Sequence, residues 1–600
     1  MNESAEPGAL RPFLIRGKQG CLLALYHPPL RPHPFLGDVL VVQAFAEELN
    51  RCRAMVGLQA RALAALGMGV LILDPHGAGD SAGEFEQASW DGWRHDMQMG
   101  VAWLREHGQG CRTLWGVRLG ALMAAEIAQA DAGIDRLLLW MPVVNGKIYW
   151  TQFLRIRIAA EMTLADGIKS TDLLRQQSAR GEVVEASGYR VGSALARQLD
   201  QLQMPGSDGL VRKSVLWCET TTSADAAPPR ASVKVIEGWR AGGAQVEMIQ
   251  ATGPSFWLAH DREVAPMLID AGTAAVKHWA EAGSLPSETS AAAAEPVSVM
   301  SRQDAAEYPV VFPCAGQQIS GVVHRGAPDA TIGVVIVVAG GPQYRVGAHR
   351  QFVSLARLLA GNGYIVMRFD LRGMGDSTGQ HQGFLHSRPD ICSAVDALML
   401  EQPGLREVAL FGECNSASGI LFYAWQDLRV RQIVLVNPWV RTPELQAETI
   451  LKHYYLDRLK SREFWLHLRS GKFRFGDSLR SLAALMWTAA LGRKQLRMGG
   501  AADRDEDLDR LPLPARTAEG LRRFKGRALF LLSGRDLIAR EFDEVTKSSA
   551  AWEGLLGEQR VSREVVVDAD HTFSTPVAKQ RAQRLVLDWL LVGGLPGKRA

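Results

Sequence analysis

The chain contains two copies of one sequence pattern, separated by 296 residues. Residues 74–83 read Asp-Pro-His-Gly-Ala-Gly-Asp-Ser-Ala-Gly, and residues 370–379 read Asp-Leu-Arg-Gly-Met-Gly-Asp-Ser-Thr-Gly. The same offset superposes residues 116–120 on 412–416 and residues 137–142 on 433–438. Three motifs that share one offset indicate an internal duplication. A chain of 600 residues is long enough to form two large domains, one for each copy.

The segment between the copies has the composition of a linker. Residues 283–297 are mostly small or polar and include two prolines, which is typical of linkers. We therefore expect one domain at residues 1–282, a linker at 283–303 and a second domain at 304–600.

Within each copy, short β-branched apolar runs alternate with longer amphipathic stretches. In the second copy the predicted strands are residues 334–338, 364–369, 408–411, 433–436 and 528–532, and the predicted helices are residues 352–359, 393–400 and 418–425. Alternating strands and helices are typical of an α/β fold with a mostly parallel sheet covered on both faces. In such sheets the chemistry gathers at the carboxyl ends of the strands.

Residues 412–416, Gly-Glu-Cys-Asn-Ser, lie between a predicted strand and a predicted helix, as the turn of a nucleophile elbow does. Gly412 allows a tight turn, and Ser416 stands where glycine is usual. Cys414 lies at the apex, where a helix N-terminus favours a reactive thiolate. The alternative is a buried, unreactive cysteine.

An acid and a base follow later strands of the second copy. Asp536 comes after the strand at 528–532, and His571 comes after a strand at 564–567. The order Cys, Asp, His is the chain order of α/β-hydrolase triads. We predict that His571 acts as the base and that Asp536 orients its ring. Two nearby carboxylates compete for that role, Asp568 and Asp570.

An acyl-transfer site also needs donors for a developing oxyanion. The backbone N–H of Asn415 is one candidate, and the glycine pair Gly340 and Gly341, after the first buried strand, supplies another. The glycine pair could instead form only a turn. The glycine-rich residues 370–379 lack the Lys-Ser/Thr ending of a phosphate-binding loop, so they are interpreted as a structural loop.

The first copy lacks a nucleophile, an acid and a histidine at the three corresponding positions. Arg118 stands at the elbow apex, Thr222 at the position of the acid and Pro254 at the position of the histidine. Arg118 could bind an anionic group through its planar guanidinium. The alternative is an ion pair with a neighbouring acid such as Glu47, Glu48 or Asp74.

Charge and cysteine content exclude several classes of protein. The chain has 67 Lys and Arg against 64 Asp and Glu, which argues against a nucleic-acid partner. Its seven cysteines form no C-x-x-C pair, so neither a disulfide framework nor a metal site is expected, and no cofactor is expected. The start of the chain lacks the pattern of a secretory signal, and no apolar stretch is long enough to span a bilayer. We expect a cytoplasmic protein.

Each copy carries a long insertion where α/β-hydrolases have a lid, at about residues 144–210 and 440–525. Residues 441–495 contain 11 Lys and Arg but only five Asp and Glu, with seven aromatic residues among them. A basic amphipathic lid could contact an anionic inner-membrane surface or receive a lipid-linked acyl substrate. The alternative is a solvated helical cap over the site of a small-molecule substrate.

Both halves resemble α/β-hydrolases, including the serine aminopeptidase-like hydrolases, and the resemblance extends to a narrower pair of families. The first half resembles exosortase A system-associated hydrolase 2 at residues 12–14, 26–29, 45–50, 74–83 and 115–120. The second half resembles hydrolase 1 of the same system at residues 340–346, 370–379, 533–542 and 570–574 and at Cys414. Together the resemblances cover residues 11–280 and 308–590.

The resemblance implies a role in bacterial exopolysaccharide production beside exosortase-dependent protein sorting, with polysaccharide-biosynthesis proteins as partners. A cysteine nucleophile is similar to hydrolase 1 and to dienelactone hydrolases, and Arg118 resembles the hydrolase 2 pattern. The chain is expected to be an ester or thioester hydrolase that acts through an S-acyl enzyme. Two alternatives are an acyltransferase acting on polysaccharide precursors and a non-catalytic scaffold.

Overall fold

The computed structural model describes residues 8–33, 36–161, 168, 170–223, 225–281, 297–338, 341, 343–441 and 508–592. The chain forms two compact units. Unit 1 comprises Met1–His324, Gly341–Ser354 and Arg368–His381, and unit 2 comprises Arg325–Gly340, Leu355–Met367 and Gln382–Ala600. The linker expected at 283–303 falls largely on residues 282–296, outside the described residues, so its boundaries stay a prediction.

The strands of the described residues are β1 (Arg11–Gly17), β2 (Gly20–His27), β3 (Asp38–Val42), β4 (Val70–Leu73), β5 (Cys111–Val117), β6 (Arg136–Trp140), β7 (Val184–Ala186), β8 (Tyr189–Val191), β9 (Ser214–Thr221), β10 (Gln245–Thr252), β11 (Val299–Met300), β12 (Glu307–Cys314), β13 (Gln317–His324), β14 (Ile332–Val338), β15 (Ile365–Asp370), β16 (Glu407–Glu413), β17 (Val430–Val436), β18 (Arg527–Ser533) and β19 (Val561–Val566). The α-helices are α1 (Glu47–Ala65), α2 (Trp90–His107), α3 (Leu119–Ala130), α4 (Gly146–Glu161), α5 (Thr171–Ala179), α6 (Ser193–Gln201), α7 (Arg230–Ala241), α8 (Pro266–Glu281), α9 (Gln351–Gly361), α10 (Arg388–Glu401), α11 (Asn415–Tyr423), α12 (Leu513–Arg523), α13 (Leu537–Ser548) and α14 (Pro576–Val592). Short 3₁₀ helices add single turns between several of these elements.

Unit 1 contains a nine-stranded sheet in the order β10-β9-β6-β5-β3-β4-β2-β1-β11. The strands from β10 to β4 pair in parallel, whereas β4 pairs with β2, β2 with β1 and β1 with β11 in antiparallel fashion. The α/β class predicted from the sequence is confirmed. The sheet is mixed because a hairpin at the start of the chain adds its two strands directly, without a crossover helix.

Alternate residues of the central strands enter two separate hydrophobic clusters. On β3, Leu40 and Val42 belong to the cluster that includes the apolar residues of α2 and α3. Val39 and Val41 belong to the cluster that includes those of α1 and α8. Because successive side chains of a strand point to opposite faces, helices cover the sheet on both sides.

The long segment between β6 and β9 of unit 1 forms its own elements. It contains α4, α5 and α6, together with the antiparallel hairpin β7–β8. This segment coincides with the insertion expected at about residues 144–210. The corresponding insertion at about 440–525 falls mostly on residues 442–507, outside the described residues, and so does nearly all of the basic segment at 441–495.

Unit 2 contains strands in the order β14-β16-β17-β18-β19, with the first residues of β15, 365–367, beside β14. The neighbours from β14 to β19 pair in parallel. Each strand predicted in the second copy overlaps an observed one, and the three predicted helices overlap α9, α10 and α11.

Within the described residues, no helix combines the length and apolar character needed to cross a membrane.

Candidate active site

Cys414 lies between β16 and α11 in a strand-turn-helix of unusual backbone geometry. Its φ and ψ are 58° and −119°, a region that residues with a side chain seldom adopt. Gly412 permits this turn, because a Cβ there would lie 2.8 Å from the carbonyl carbon of Ser416. The tight turn places the cysteine at the carboxyl end of a central strand and at the N-terminus of a helix.

Ser416 occupies the position where the elbow pattern usually has glycine, and its side chain supports the turn. The Ser416 hydroxyl donates to the carbonyl oxygen of Glu413 at 2.7 Å and accepts from the Glu413 N–H at 2.8 Å. In the first copy, a Cβ at Gly120 would lie 2.2 Å from the carbonyl oxygen of Val42. The second copy therefore accepts a side chain at the place where the first copy requires glycine.

His571 and Asp536 are in direct contact in unit 2. Nδ1 of His571 lies 2.7 Å from Oδ2 of Asp536, at hydrogen-bond distance. Asp536 is buried and also caps α13, accepting from the N–H groups of Ile538 and Ala539 at 3.3 and 3.2 Å. The cap holds the carboxylate in place, and the carboxylate orients the imidazole ring.

The two competing carboxylates contact other groups. Asp568 forms an exposed ion pair with Arg535 at 3.2 Å. Asp570 accepts from the N–H of Ser574 at 2.8 Å, which closes the turn after His571. Among the three acids considered from the sequence, Asp536 is thus the one that the structure places against the imidazole.

The surroundings of His571 favour its protonated form. Burial by itself lowers the pKa of an imidazole, but hydrogen bonding to Asp536, the interaction with Cys414 and the negative charge of Glu413 raise the pKa of His571 to about 11. Glu413 is a buried carboxylate directly before the cysteine, and its influence was not predicted from the sequence. The histidine, the cysteine and two carboxylates therefore form one electrostatic cluster at the carboxyl ends of the strands.

The raised pKa of His571 predicts how stability depends on pH. Because this pKa is about 11 in the folded protein and ordinarily 6.5, the protonated ring stabilises the fold below pH 6.5, and this contribution is lost as the pH rises through 11. We expect the stability advantage of the wild type over His571→Gln to be larger at about pH 6 than at about pH 10. Urea unfolding of both proteins at the two pH values measures it, and an advantage that grows with pH would contradict the argument.

Asn437 joins the acid and base segments, a role that the sequence analysis missed. This residue follows β17 with a left-handed φ of 44° and is fully buried. Its amide oxygen accepts from the Ser533 N–H at 2.8 Å, and its amide nitrogen donates to the Ser533 hydroxyl at 2.9 Å and to the His571 carbonyl at 3.0 Å. The signal in the sequence was an asparagine directly after a predicted strand, since asparagine tolerates positive φ better than most residues do.

Replacing Asn437 by alanine should therefore lower both the stability of the protein and the turnover at the site, although Asn437 is not one of the three predicted catalytic residues. The buried Ser533 N–H and His571 carbonyl lose their partner, which costs about 2–4 kcal/mol of unfolding free energy. Because the bond to the His571 carbonyl is lost, kcat should fall more than KM rises. The matched variant Asn437→Asp keeps the acceptor for Ser533, but its carboxylate cannot donate to the His571 carbonyl and is buried without a counter-charge, so it should be destabilised at least as much. Denaturant unfolding and steady-state kinetics check both results, and unchanged values for Asn437→Ala would exclude the role.

Two of the three predicted oxyanion donors, Asn415 and Gly341, lie among the described residues. Asn415 is the first residue of α11, and the first N–H groups of a helix have no acceptor within it. Gly341 belongs to unit 1 and has a positive φ of 59°. Gly340 lies outside the described residues. The oxyanion role of all three residues stays a prediction.

Arg118 occupies the corresponding elbow of the first copy in unit 1, with φ and ψ of 55° and −118°. Its guanidinium lies 3.2 Å from a carboxylate oxygen of Glu48, donates to the Met141 carbonyl at 3.0 Å and stacks on the ring of Trp257. Tyr149 donates its hydroxyl to the same carboxylate at 2.8 Å. The ion pair considered as the alternative from the sequence is present, and anion binding by Arg118 stays a prediction.

The other two positions of the first copy also lack acid-base groups. Thr222 directly follows β9, and Pro254 follows β10, as Asp536 and His571 follow β18 and β19. Neither a threonine hydroxyl nor a proline ring can serve as a carboxylate or an imidazole.

Comparisons with known proteins agree with the α/β-hydrolase fold. Residues 331–469 match the family described as Serine aminopeptidase, S33. This stretch holds the elbow with Cys414 and covers less than half of the chain. A comparison with curated proteins found no match.

The solved structures that match part of this chain include several hydrolases. An esterase of Pyrococcus furiosus is 15% identical over 48% of this chain and 90% of its own, with a TM-score of 0.32. A dienelactone hydrolase of Anabaena variabilis is 14% identical over 48% of this chain and 97% of its own, with a TM-score of 0.30. The esterase domain of a Rhodothermus marinus protein is 15% identical over 47% of this chain and 97% of its own, with a TM-score of 0.29. The match of residues 331–469 to the hydrolase family is the comparison that bears on the candidate site.

Proposed function

We propose that unit 2 hydrolyses a carboxyl ester or thioester, with Cys414 as nucleophile, His571 as base and Asp536 as the residue that orients it. The observation that carries the proposal is the 2.7 Å contact between His571 and Asp536, with Cys414 among the groups that raise the pKa of the same imidazole. Covalent acyl transfer requires a nucleophile, a base and a group that orients the base, and Cys414, His571 and Asp536 supply these three kinds of group. The match of residues 331–469 to a hydrolase family supports the same chemistry.

The reaction follows from the positions of these groups. The thiolate of Cys414 attacks the carbonyl carbon of the substrate, and the N–H of Asn415 stabilises the oxyanion that forms. The imidazolium of His571 gives its proton to the leaving alcohol or thiol, which leaves an S-acyl enzyme. Neutral His571 then takes a proton from water, the resulting hydroxide attacks the thioester, and the free acid and thiolate are released. Asp536 stays ionised throughout and stabilises the charged ring.

The expected product distinguishes hydrolysis from transfer. With a chromogenic ester and added polyol, free acid as the product supports a hydrolase, whereas an acylated polyol would favour the acyltransferase alternative. Mass spectrometry of the protein quenched during turnover should show the acyl group on the peptide that contains Cys414. No acyl adduct and no turnover with any short-chain ester or thioester would favour the non-catalytic scaffold.

Two wider proposals accompany this chemistry. The duplicated pattern and the two elbows of closely similar geometry, at Arg118 and Cys414, support a tandem of two α/β-hydrolase domains. A role in exopolysaccharide production rests on the resemblance of the sequence to the exosortase-associated hydrolases. Contact of the basic segment at 441–495 with a membrane remains part of that proposal.

A further inference from the structure

The duplicated loops at residues 74–83 and 370–379 have the same internal bonding, and both belong to unit 1. Asp74 accepts from the N–H of Asp80 at 2.9 Å, and Asp370 accepts from the N–H of Asp376 at 3.0 Å. In each loop a serine hydroxyl donates to the carbonyl of the first aspartate. Each loop therefore presents two carboxylates from one closed turn.

These four carboxylates have almost no contact with solvent. The side chains of Asp74, Asp80, Asp370 and Asp376 are all 0% exposed. Burial alone would raise the pKa of Asp80, but the neighbouring Arg345, Arg368 and Arg53 lower it to about 2, so this carboxylate is ionised in the fold. Buried charges of this kind are stable only when opposite charges lie beside them.

Arg53, on α1 of the first copy, connects the two loops. Its guanidinium lies 2.7 Å from Asp74 of its own copy. It also forms a two-pronged contact with Asp376 of the second copy, at 2.6 and 2.9 Å. A planar guanidinium that bonds a carboxylate through two nitrogens fixes both distance and orientation.

Two arginines of the second copy make the reciprocal connection. Arg345 lies 2.8 Å from Asp80 of the first copy and also contacts Asp370 and Asp376 at 2.6 and 2.7 Å. Arg368 lies 2.7 Å from Asp80 as well. Each copy therefore supplies arginine to the other copy's aspartate.

A fourth arginine binds the backbone of the loop at residues 74–83. Arg350 of the second copy donates to the carbonyls of Gly77, Gly79, Ser81 and Gly83 at 2.7–2.9 Å. Four carbonyls converge on one guanidinium only when the loop keeps its closed conformation. The contact of Arg350 therefore depends on the backbone conformation of residues 74–83 in the first copy.

We propose that the loop at residues 74–83 and helix α1 form an interaction surface whose partner is the second copy itself, at residues 343–350 and 368–376. In this proposal the first copy serves as a built-in assembly partner of the second. An apolar surface would accept many partners, whereas buried carboxylates penalise any partner that lacks the matching arginines. The first copy can lose its catalytic groups and still keep this role, because none of Arg118, Thr222 or Pro254 takes part in the network.

Hydrogen exchange of the full-length chain, followed by mass spectrometry, tests the proposal. Asp80→Asn in the first copy should speed exchange about tenfold or more in residues 343–350 and 368–376 of the second. Asp376→Asn should do the same in α1 and residues 74–83 of the first. The control is Asp200→Asn, which removes a partly exposed ion pair with Arg175 in unit 1 and should change none of these segments. Faster exchange confined to the copy that carries the substitution would overturn the proposal.

A milder substitution covers the case in which an aspartate variant does not fold. Arg350→Lys keeps the positive charge but cannot reach four carbonyls at once. It should speed exchange in residues 74–83 by about tenfold while the protein remains folded. Unchanged exchange in that loop would show that the second copy does not hold the first, and the proposal would fail.

Discussion

Replacing Cys414 by alanine should lower kcat/KM for ester hydrolysis by about 10⁴-fold or more, because no covalent intermediate can then form. Replacing it by serine should retain measurable turnover, since His571 and Asp536 can activate a hydroxyl in the same place. The expected order is therefore wild type, Cys414→Ser and Cys414→Ala. Steady-state kinetics with one chromogenic ester and circular dichroism of each variant establish the order and the fold.

Cys392 provides the matched control for this result. It is also a free, partly exposed cysteine of the second copy, but it lies on α10 and contacts Asp396. Cys392→Ala should leave turnover unchanged, and a thiol-directed probe should label Cys414 in preference to Cys392. Full turnover in Cys414→Ala, or equal labelling of the two thiols, would remove the catalytic interpretation.

The second large effect is expected at Asp536. Asp536→Asn should lower kcat by about 10⁴-fold, because an amide does not stabilise the imidazolium or hold the correct tautomer. Asparagine is nevertheless a good N-cap, so α13 keeps its cap in this variant. Asp536→Ala loses the cap as well and should be less stable than Asp536→Asn by about 1 kcal/mol.

The comparison of these variants separates chemistry from folding. Both should lose turnover to a similar extent although their unfolding free energies differ. Asp570→Asn serves as the control, because Asp570 contacts Ser574 and not the imidazole ring, and it should retain nearly full activity. An activity loss that followed stability across the three variants, or equal losses for Asp536→Asn and Asp570→Asn, would show that Asp536 is only structural.

Local patterns predicted the elements of the fold well. The strands and helices of the second copy were legible because β-branched runs and helical spacing depend on near neighbours in the chain. The placement of Cys414, Asp536 and His571 after successive strands followed from the same patterns. Parallel strands bring their carboxyl ends to one edge, so these three residues could be expected to meet.

Contacts between distant segments could not be predicted in this way. The sequence favoured Asp536 as the partner of His571, but it did not predict that the competing Asp570 closes the turn after the histidine or that Asp568 pairs with Arg535. The same holds for Asn437, whose side-chain amide bonds to Ser533 and to the His571 carbonyl. It also holds for Ser416, whose hydroxyl bonds to the backbone of Glu413 at a position where glycine is usual. A side chain's partner depends on which strand ends are neighbours, and that is a property of the whole sheet.

By itself, the sequence determined that the chain holds two copies of one α/β pattern and that only the second copy retains a cysteine, an acid and a histidine in order. Tertiary structure alone decided that Asn437 bonds to the segments of both the acid and the base, that Arg118 pairs with Glu48, and that the duplicated aspartate loops meet in one buried network. The physical reason is the separation along the chain of the residues that interact. Hydrophobic periodicity and turn residues act over a few positions, whereas an ion pair such as Arg53 with Asp376 joins residues 323 apart in the chain.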